Sequence, residues 1–315
     1  MRFLVGALVV LALAAAAPYA VRLEYFYFAG FVVLQFIVLA TAWNILGGFA
    51  GYVNFGAGAF FAVGAYTAVA LYKAVALPLG LQILAGAAMA GLLGFGVGML
   101  TLRLRGIFFS IATIAITIIL ETVAANWPYI GGAKGLPILR PTEMPLHFTN
   151  YTQWLFFVMA FIAVVAVGAA RTIQTSWIGR GLRAIRDNEE AAECSGVPTL
   201  RLKLLAATLS GALMGAAGAP FAQYLSFIEP ASVFSLNYAV NALAMPIIGG
   251  TAHWIGPVIG AILLGTVQQV VTVTISSEIN VLVVGVMLVV FVVAAPEGIL
   301  GLVGKMRARL GKRRG

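Results

Sequence analysis

From Tyr25 to Tyr72 the chain reads YFYFAGFVVLQFIVLATAWNILGGFAGYVNFGAGAFFAVGAYTAVALY, without one charged side chain. About 20 apolar residues span a bilayer core, so this run is long enough to cross twice, with Gly47-Gly48 near its middle. Pro230 to Ser277 is a second run of the same kind, interrupted at Gly249-Gly250. Between the remaining charges lie Phe3 to Val21, Ala74 to Leu102, Gly106 to Leu120, Met144 to Ala170, Leu204 to Ile228 and Ile279 to Pro296. Counting two crossings for each long run predicts an all-α polytopic membrane protein of about ten transmembrane helices. The run from Gly106 is short unless it continues past Glu121, which places that acid in or near the end of the fifth span.

Composition agrees. The chain is 62% hydrophobic and 9% charged, against roughly 25% charged in soluble domains. A formal net charge of +9 would suit nucleic acid, but the basic residues cluster at span ends with no aromatic-interleaved basic surface. Membrane lipid headgroups are the expected partner, and no nucleic acid. The single Cys194 excludes an intrachain disulfide, and no Cys/His cluster has metal-ligand spacing, so no metal is expected. Arg2 with the Ala/Leu/Val run behind it also has the look of a signal peptide. Charge-free residues continue to Val21, so it reads as an uncleaved first span, whose removal would leave nine.

An even count puts both termini on one side. Threading the chain then gathers every basic residue there except Arg22, Lys73, Lys134 and Arg140, and the positive-inside rule makes that side, with both termini, cytoplasmic. The chain reads as one transmembrane domain, 1–315, containing a charged cytoplasmic loop, 171–203, and a basic cytoplasmic tail, 305–315. The opposite loop, Asn126 to Thr152, is rich in Gly, Pro and aromatics. It reads as an interfacial aromatic belt, or as a docking surface for an external binding protein.

Gly91-x-x-Gly94, Gly94-x-x-x-Gly98 and Gly211-x-x-x-Gly215 are read as helix-packing contacts. Ile45-Leu46-Gly47-Gly48-Phe49-Ala50 matches Ile247-Ile248-Gly249-Gly250-Thr251-Ala252 at a constant offset, which Gly58-Ala59 and Gly260-Ala261 share. Interrupted hydrophobic segments in corresponding halves point to a transport pathway; a pair of tight cytoplasmic turns is the alternative, and both stay open. With these glycines, the polar groups Asn44, Asn54, Thr113, Thr117 and Glu121 in otherwise apolar spans are the pathway candidates.

Within the charged loop, Arg180, Arg183 and Arg186 precede Asp187-Asn188-Glu189-Glu190-Ala191-Ala192 and a stop at Gly196 and Pro198. Asp187 is read as the cap of a short helix, with Glu189 in its first turn and Glu190 three residues on. Two turns of helix are unstable alone in water and need a surface to pack on.

Here the residues resemble a known family. Glu190-Ala191-Ala192, three residues and then Gly196 look like the Glu-Ala-Ala…Gly motif of bacterial ABC-importer permeases, whose short coupling helix docks into an ATPase subunit. The longer pattern's Ile-x-Leu-Pro ending is absent. From about Trp43 to Gly301 the chain is similar to permeases of branched-chain amino-acid importers, of the hydrophobic amino-acid uptake class. The resemblance rests on Asn44-x-x-Gly-Gly-x-Ala-Gly, Gly58-Ala59-Phe60-Phe61-x-x-Gly64-Ala65-Tyr66, Leu102-Arg-Leu-Arg-Gly-Ile-Phe-Phe, Gly131-Gly-x-x-Gly-Leu, Gly181-Leu-Arg-Ala-Ile-Arg-Asp-Asn-Glu and Gly249-Gly-x-x-x-x-x-Gly-Pro-Val-x-Gly-Ala.

The resemblance implies a multi-pass protein of the bacterial cytoplasmic (inner) membrane. It implies a second permease subunit, two ATP-binding subunits and a periplasmic substrate-binding protein as partners. ATPase coupling would fall to Arg180, Arg183, Arg186, Asp187, Glu189, Glu190, Ala191, Ala192 and Gly196. No Gly-x-x-x-x-Gly-Lys-[Ser/Thr] loop is present, since Gly304-Lys305 and Gly311-Lys312 lack the upstream Gly and the following hydroxyl. ATP and Mg would be bound by the partner subunits, and the chain itself is expected to be no enzyme and to hold no cofactor. His147 and His253 stand apart from any nucleophile, which argues against an intramembrane enzyme. Urea or amide permeases of the same class, and a stand-alone secondary carrier, are the alternative readings.

Overall fold

A 27-residue helix, α2 (Glu24–Ala50), runs through the middle of the molecule and is buried almost continuously from Gln35 to its end. A helix that is apolar all round has to be enclosed by others, and α2 packs against helices that all lie beyond residue 150 of the chain. The computed structural model describes residues 2–75, 77–101, 104, 106–138, 148, 150–274, 279–295, 297–302 and 304. The basic tail, 305–315, with Arg103, Arg105, Arg140 and His147, lies outside the described residues.

In chain order, α1 (Arg2–Ala20) and α2 are followed by α3 (Ala57–Val75), α4 (Leu79–Thr101), α5 (Ile107–Ala125) and α6 (Tyr151–Thr175). Two short helices, α7 (Trp177–Asp187) and α8 (Glu189–Cys194), lead into α9 (Thr199–Leu225). Then come α10 (Pro230–Val233), α11 (Leu236–Gly249), α12 (Gly256–Thr274) and α13 (Ile279–Ala294). Among the described residues ten helical segments are long and apolar enough to cross a membrane, as the charge-free runs predict. The fifth continues through Glu121 to Ala125, and the acid sits in its last turns.

The closest packing joins α9 to α3 and α4. A Cβ at Gly64 would lie 2.1 Å from the Gly215 carbonyl oxygen, and one at Gly215 would lie 2.5 Å from that of Gly86. Backbones touch here because no side chain separates them, and this close approach of small residues is what holds helices together where lipid removes the hydrophobic drive. The packing reading of Gly94 and Gly211 is likewise borne out, each facing a backbone carbonyl of the partner helix. At the periphery α1, α5 and α13 keep large apolar side chains exposed, among them Leu4, Leu8, Ile107, Phe108 and Val293, as lipid-facing surfaces do.

Both double glycines end helices. Gly47 and Gly48 form the last full turn of α2, closed by Gly51 in the left-handed conformation. Gly249 is the last residue of α11, and Gly250 (φ 114) turns the chain toward α12. Of the two readings left open, the structure gives turns between helices, 51–56 after α2 and 250–255 after α11, and Asn44 Nδ2 of α2 donates to the Thr251 carbonyl at 3.1 Å. Phe3 of α1 packs edge-on against Trp254 in the second turn, and Gly298 abuts Gly250. Both ends of the described chain therefore lie on the face that carries α7 and α8.

On the opposite face, Leu136–Pro137 (β1) pairs antiparallel with Phe227–Ile228 (β2). Lys73 Nζ donates to the Tyr129 carbonyl at 2.8 Å and sits 4.7 Å from that ring's centre. The Gly131–Gly135 stretch is thereby folded down onto the ends of α3 and α9.

Gly64→Val is expected to destabilise the protein by about 3 kcal/mol or more, because backbone rather than a movable side chain blocks the new methyls. Gly96→Ala, where a Cβ meets nothing within 4 Å, is expected to be neutral or to gain up to about 1 kcal/mol. Thermal unfolding in detergent distinguishes the two.

Candidate functional site: the α7–α8 platform and the turns beneath it

The α7 helix is amphipathic in the simplest way. Gly179, Leu182 and Ile185 are buried, while Arg180, Arg183 and Arg186 point outward. Leu182 and Ile185 join Ile45, Leu46 and Phe49 of α2 and Leu202 and Ala206 of α9 in one cluster, which fastens α7 across the end of the bundle. Arg186 Nη1 reaches the Gly48 carbonyl at 3.1 Å. A cation thus satisfies a carbonyl in the final turn of α2, where helical acceptors lack partners and the dipole is negative.

The cap of α8 is Asn188 and not Asp187. Asp187 is still helical and ends α7; the chain becomes extended at Asn188 (φ −162, ψ 109), whose Oδ1 accepts from the Ala191 N–H at 3.0 Å. Asp and Asn cap about equally well, so local propensity does not choose between them. Where α7 stops does, and that depends on packing Leu182 and Ile185.

The other end is a Schellman closure. The Gly196 N–H donates to Glu193 O at 2.9 Å and the Val197 N–H to Ala192 O at 3.0 Å, with Gly196 at φ 80. Thr199 Oγ1 then donates to Glu193 Oε1 at 2.7 Å, clasping α8 to the start of α9. Ala192 is buried; Glu190, Ala191, Glu193, Cys194, Ser195 and Gly196 form the exposed surface.

Glu189 does more than complement the helix dipole. Its Oε1 lies 2.6 Å from Lys203 Nζ, with side chains only 14% and 5% exposed respectively. Its Oε2 accepts from the Tyr52 hydroxyl at 2.6 Å, and that hydroxyl in turn accepts from Lys203 Nζ at 3.1 Å. Lys203 also stands 5.0 Å from the centre of the Tyr52 ring. The successive helices α8 and α9 and the 51–56 turn, far from them in sequence, close on one buried charge pair.

From Tyr52 the contacts continue inward. Ser110 Oγ donates to Val53 O at 2.9 Å, and the Phe55 N–H donates to Thr113 Oγ1 at 3.1 Å, so the turn hangs on α5. On its other side Trp43 Nε1 donates to Asn54 O at 2.7 Å, and Asn54 Oδ1 accepts from the Gly56 N–H at 2.7 Å. Thr117 donates to Thr113 O one turn along α5. A cavity of about 400 Å³ lies between Gly51–Val53, Gly106, Ser110, Arg186 and Glu189.

Asn44, Gly47, Gly48, Asn54, Thr113, Gly249 and Gly250 are thereby brought together on the α7 face, at or beside the two turns. Thr117 continues that set along α5, and Glu121 stands apart, half-buried one turn farther on. Tyr52, Ser110 and Lys203 complete the arrangement and were not singled out from sequence. The one available signal was Lys203, a cation flanked by Leu202 and Leu204 where α9 has already begun.

The family described as "Branched-chain amino acid transport system / permease component" matches residues 26–292, a stretch that includes both turns, the platform and the buried triad. The chain belongs to this family. It is similar to the high-affinity branched-chain amino acid transport system permease protein LivM of Escherichia coli K12, at 27% identity over 289 residues, covering 84% of this chain and 67% of that protein. It is also similar to the probable branched-chain amino acid transport permease protein LivH of Methanocaldococcus jannaschii, at 29% identity over 216 residues, 64% of this chain and 66% of that one. No solved structure matches it. As a permease with ten apolar helices, it is a multi-pass protein of the bacterial inner membrane.

Removing one partner of a buried pair leaves the other charge uncompensated, at a cost of about 3–5 kcal/mol. Lys203→Met in this permease is expected to show that loss by thermal unfolding, and Glu189→Leu with Lys203→Met to recover most of it. A single variant as stable as the parent would contradict the burial of the pair.

Proposed function

We propose that this chain is the membrane-spanning subunit of an ATP-driven importer of branched-chain amino acids, and that the α7–α8 platform is its contact with an ATP-hydrolysing subunit. The observation that carries the reading is the construction of α8. A helix of six residues has no stability of its own in water, yet this one is capped at both ends and anchored from below by Glu189. It presents an exposed Glu190-Ala191 edge. A preformed docking surface accounts for it, because rigidity lowers the ordering cost of binding.

The connections beneath α8 supply the coupling. Movement of α8 by the ATPase reaches the 51–56 turn through Glu189 and Tyr52, and from there α5 through Ser110 and Thr113. The pathway assignment of Asn44, Asn54, Thr113 and Thr117 follows the same route, and Glu121 lies one turn farther along α5. An apolar cavity of about 470 Å³ between α3, α4 and α5, lined by Val63, Tyr66, Met89, Leu120, Val123 and Phe234, suits an aliphatic side chain. The positive-inside rule makes the platform face cytoplasmic, with both termini there.

ATP and Mg belong on two separate subunits, consistent with the lack of a phosphate-binding loop in this sequence. A second permease and a periplasmic binding protein complete the complex.

Glu190→Arg and Gly196→Arg are expected to reduce leucine, isoleucine and valine uptake to background while membrane insertion stays at the parental level. The second change also forces a side chain into the left-handed region at φ 80. Uptake of radiolabelled substrate in a strain lacking the transporter, with membrane immunoblotting, measures both. Normal uptake by both variants would overturn the docking assignment, and ATP-independent transport by the lone chain would overturn the importer reading.

A further inference from the structure

An arginine without a hydrogen-bond or carboxylate partner among the described residues lies at the platform end of an apolar groove between α1 and the helices α2, α6 and α12. Phe3, Gly6, Ala7 and Val10 are spaced to fall on one face of α1, and they face α2, α6 and α12 across a groove of about 360 Å³. Beyond this seam α1 is open: only 6% of the helix is buried, so the groove borders the acyl region of a bilayer.

At its platform end Arg171, in the last turns of α6, places its guanidinium 4.7 Å from the centre of the Phe3 ring and 5.9 Å from that of Trp254. Two ring contacts hold the guanidinium beside Phe3 and Trp254. Among the described residues none of those donors has a hydrogen-bond or carboxylate partner. Gln174, one turn on, is fully engaged with the Ala252 carbonyl and the Trp254 N–H, so the acceptor is not supplied by the adjacent turn.

The geometry points to a site for one anionic glycerophospholipid, its acyl chain in the groove and its phosphate on the edge of Arg171. Apolar lining and a positionally fixed cation meet at the depth where a lipid's tail and headgroup meet. Guanidinium pairs with phosphate through charge-assisted bonds that hydrocarbon neighbours strengthen, and one basic side chain at an anionic membrane surface favours such a lipid by about fivefold. Bound there, the lipid bridges α1, α6 and the 250–255 turn.

Native mass spectrometry of the full chain, offered phosphatidylglycerol and phosphatidylethanolamine in equal amounts, tests the site. The parent is expected to retain one phosphatidylglycerol preferentially, and Arg171→Gln to lose about fivefold of that preference while still retaining lipid. Gly6→Leu adds side chain where a Cβ meets nothing within 4 Å, so it fills the groove at unchanged thermal stability and is expected to lose retention of both lipids. An undiminished preference in Arg171→Gln, or parental retention in Gly6→Leu, would overturn the proposal. So would a deficit in Arg171→Gln that appears only with ATPase subunits bound, since the acceptor would then be a protein carboxylate.

Discussion

The contact between Lys203 and Glu189 is the constraint on which the platform depends. Both side chains are withdrawn from water at the end of an apolar bundle, where removing either would leave the other without its partner. Tyr52 completes the pair as donor to one and acceptor from the other. Because the three residues come from α8, α9 and the turn after α2, their meeting fixes the relative position of elements that local sequence would leave independent. Hydrophobic contacts such as Leu182 with Leu202 set how tightly α7 lies on the bundle, but they are tolerant of sliding. The charge pair is not.

This gives the molecule two mechanical regimes. Around Gly64, Gly86 and Gly215, helices α3, α4 and α9 touch backbone to backbone and behave as one body. Helix α5 is held differently. It is peripheral, with few buried residues, and its hydrogen bonds to the 51–56 turn run through Ser110 and Thr113. The element best connected to α8 through the turn is thus also among those least committed to the core. A transporter whose pathway opens by shifting one helix against a rigid body has need of such an asymmetry.

Much of this was legible in residue order, and for identifiable reasons. Ten spans could be counted because charge bounds eight apolar runs, two of them long enough to cross twice, and α8 could be expected because Gly196 and Pro198 stop it. The cap was displaced by one residue, from Asp187 to Asn188, since both side chains cap well and only the packing of Ile185 decides. Whether the double glycines break helices at mid-membrane or turn at its edge could not be settled from periodicity. The answer lies in a contact between residues 44 and 251. Tyr52 carried no local signature and Lys203 only its leucine neighbours, and their meeting with Glu189 exists only once the distant 51–56 turn has folded onto α8 and α9.

Cys194, the single cysteine of the chain, is exposed at the end of α8 and offers a native probe of the central claim. With a second label at a Val53→Cys site in the exposed turn, pulsed electron resonance can follow the distance between α8 and that turn in the assembled transporter, with and without ATP. If Glu189 and Tyr52 tie the two together, the distance distribution stays the same in both states and broadens when Tyr52 is replaced by Phe. A distance that changes on ATP binding while the triad is intact would contradict the account.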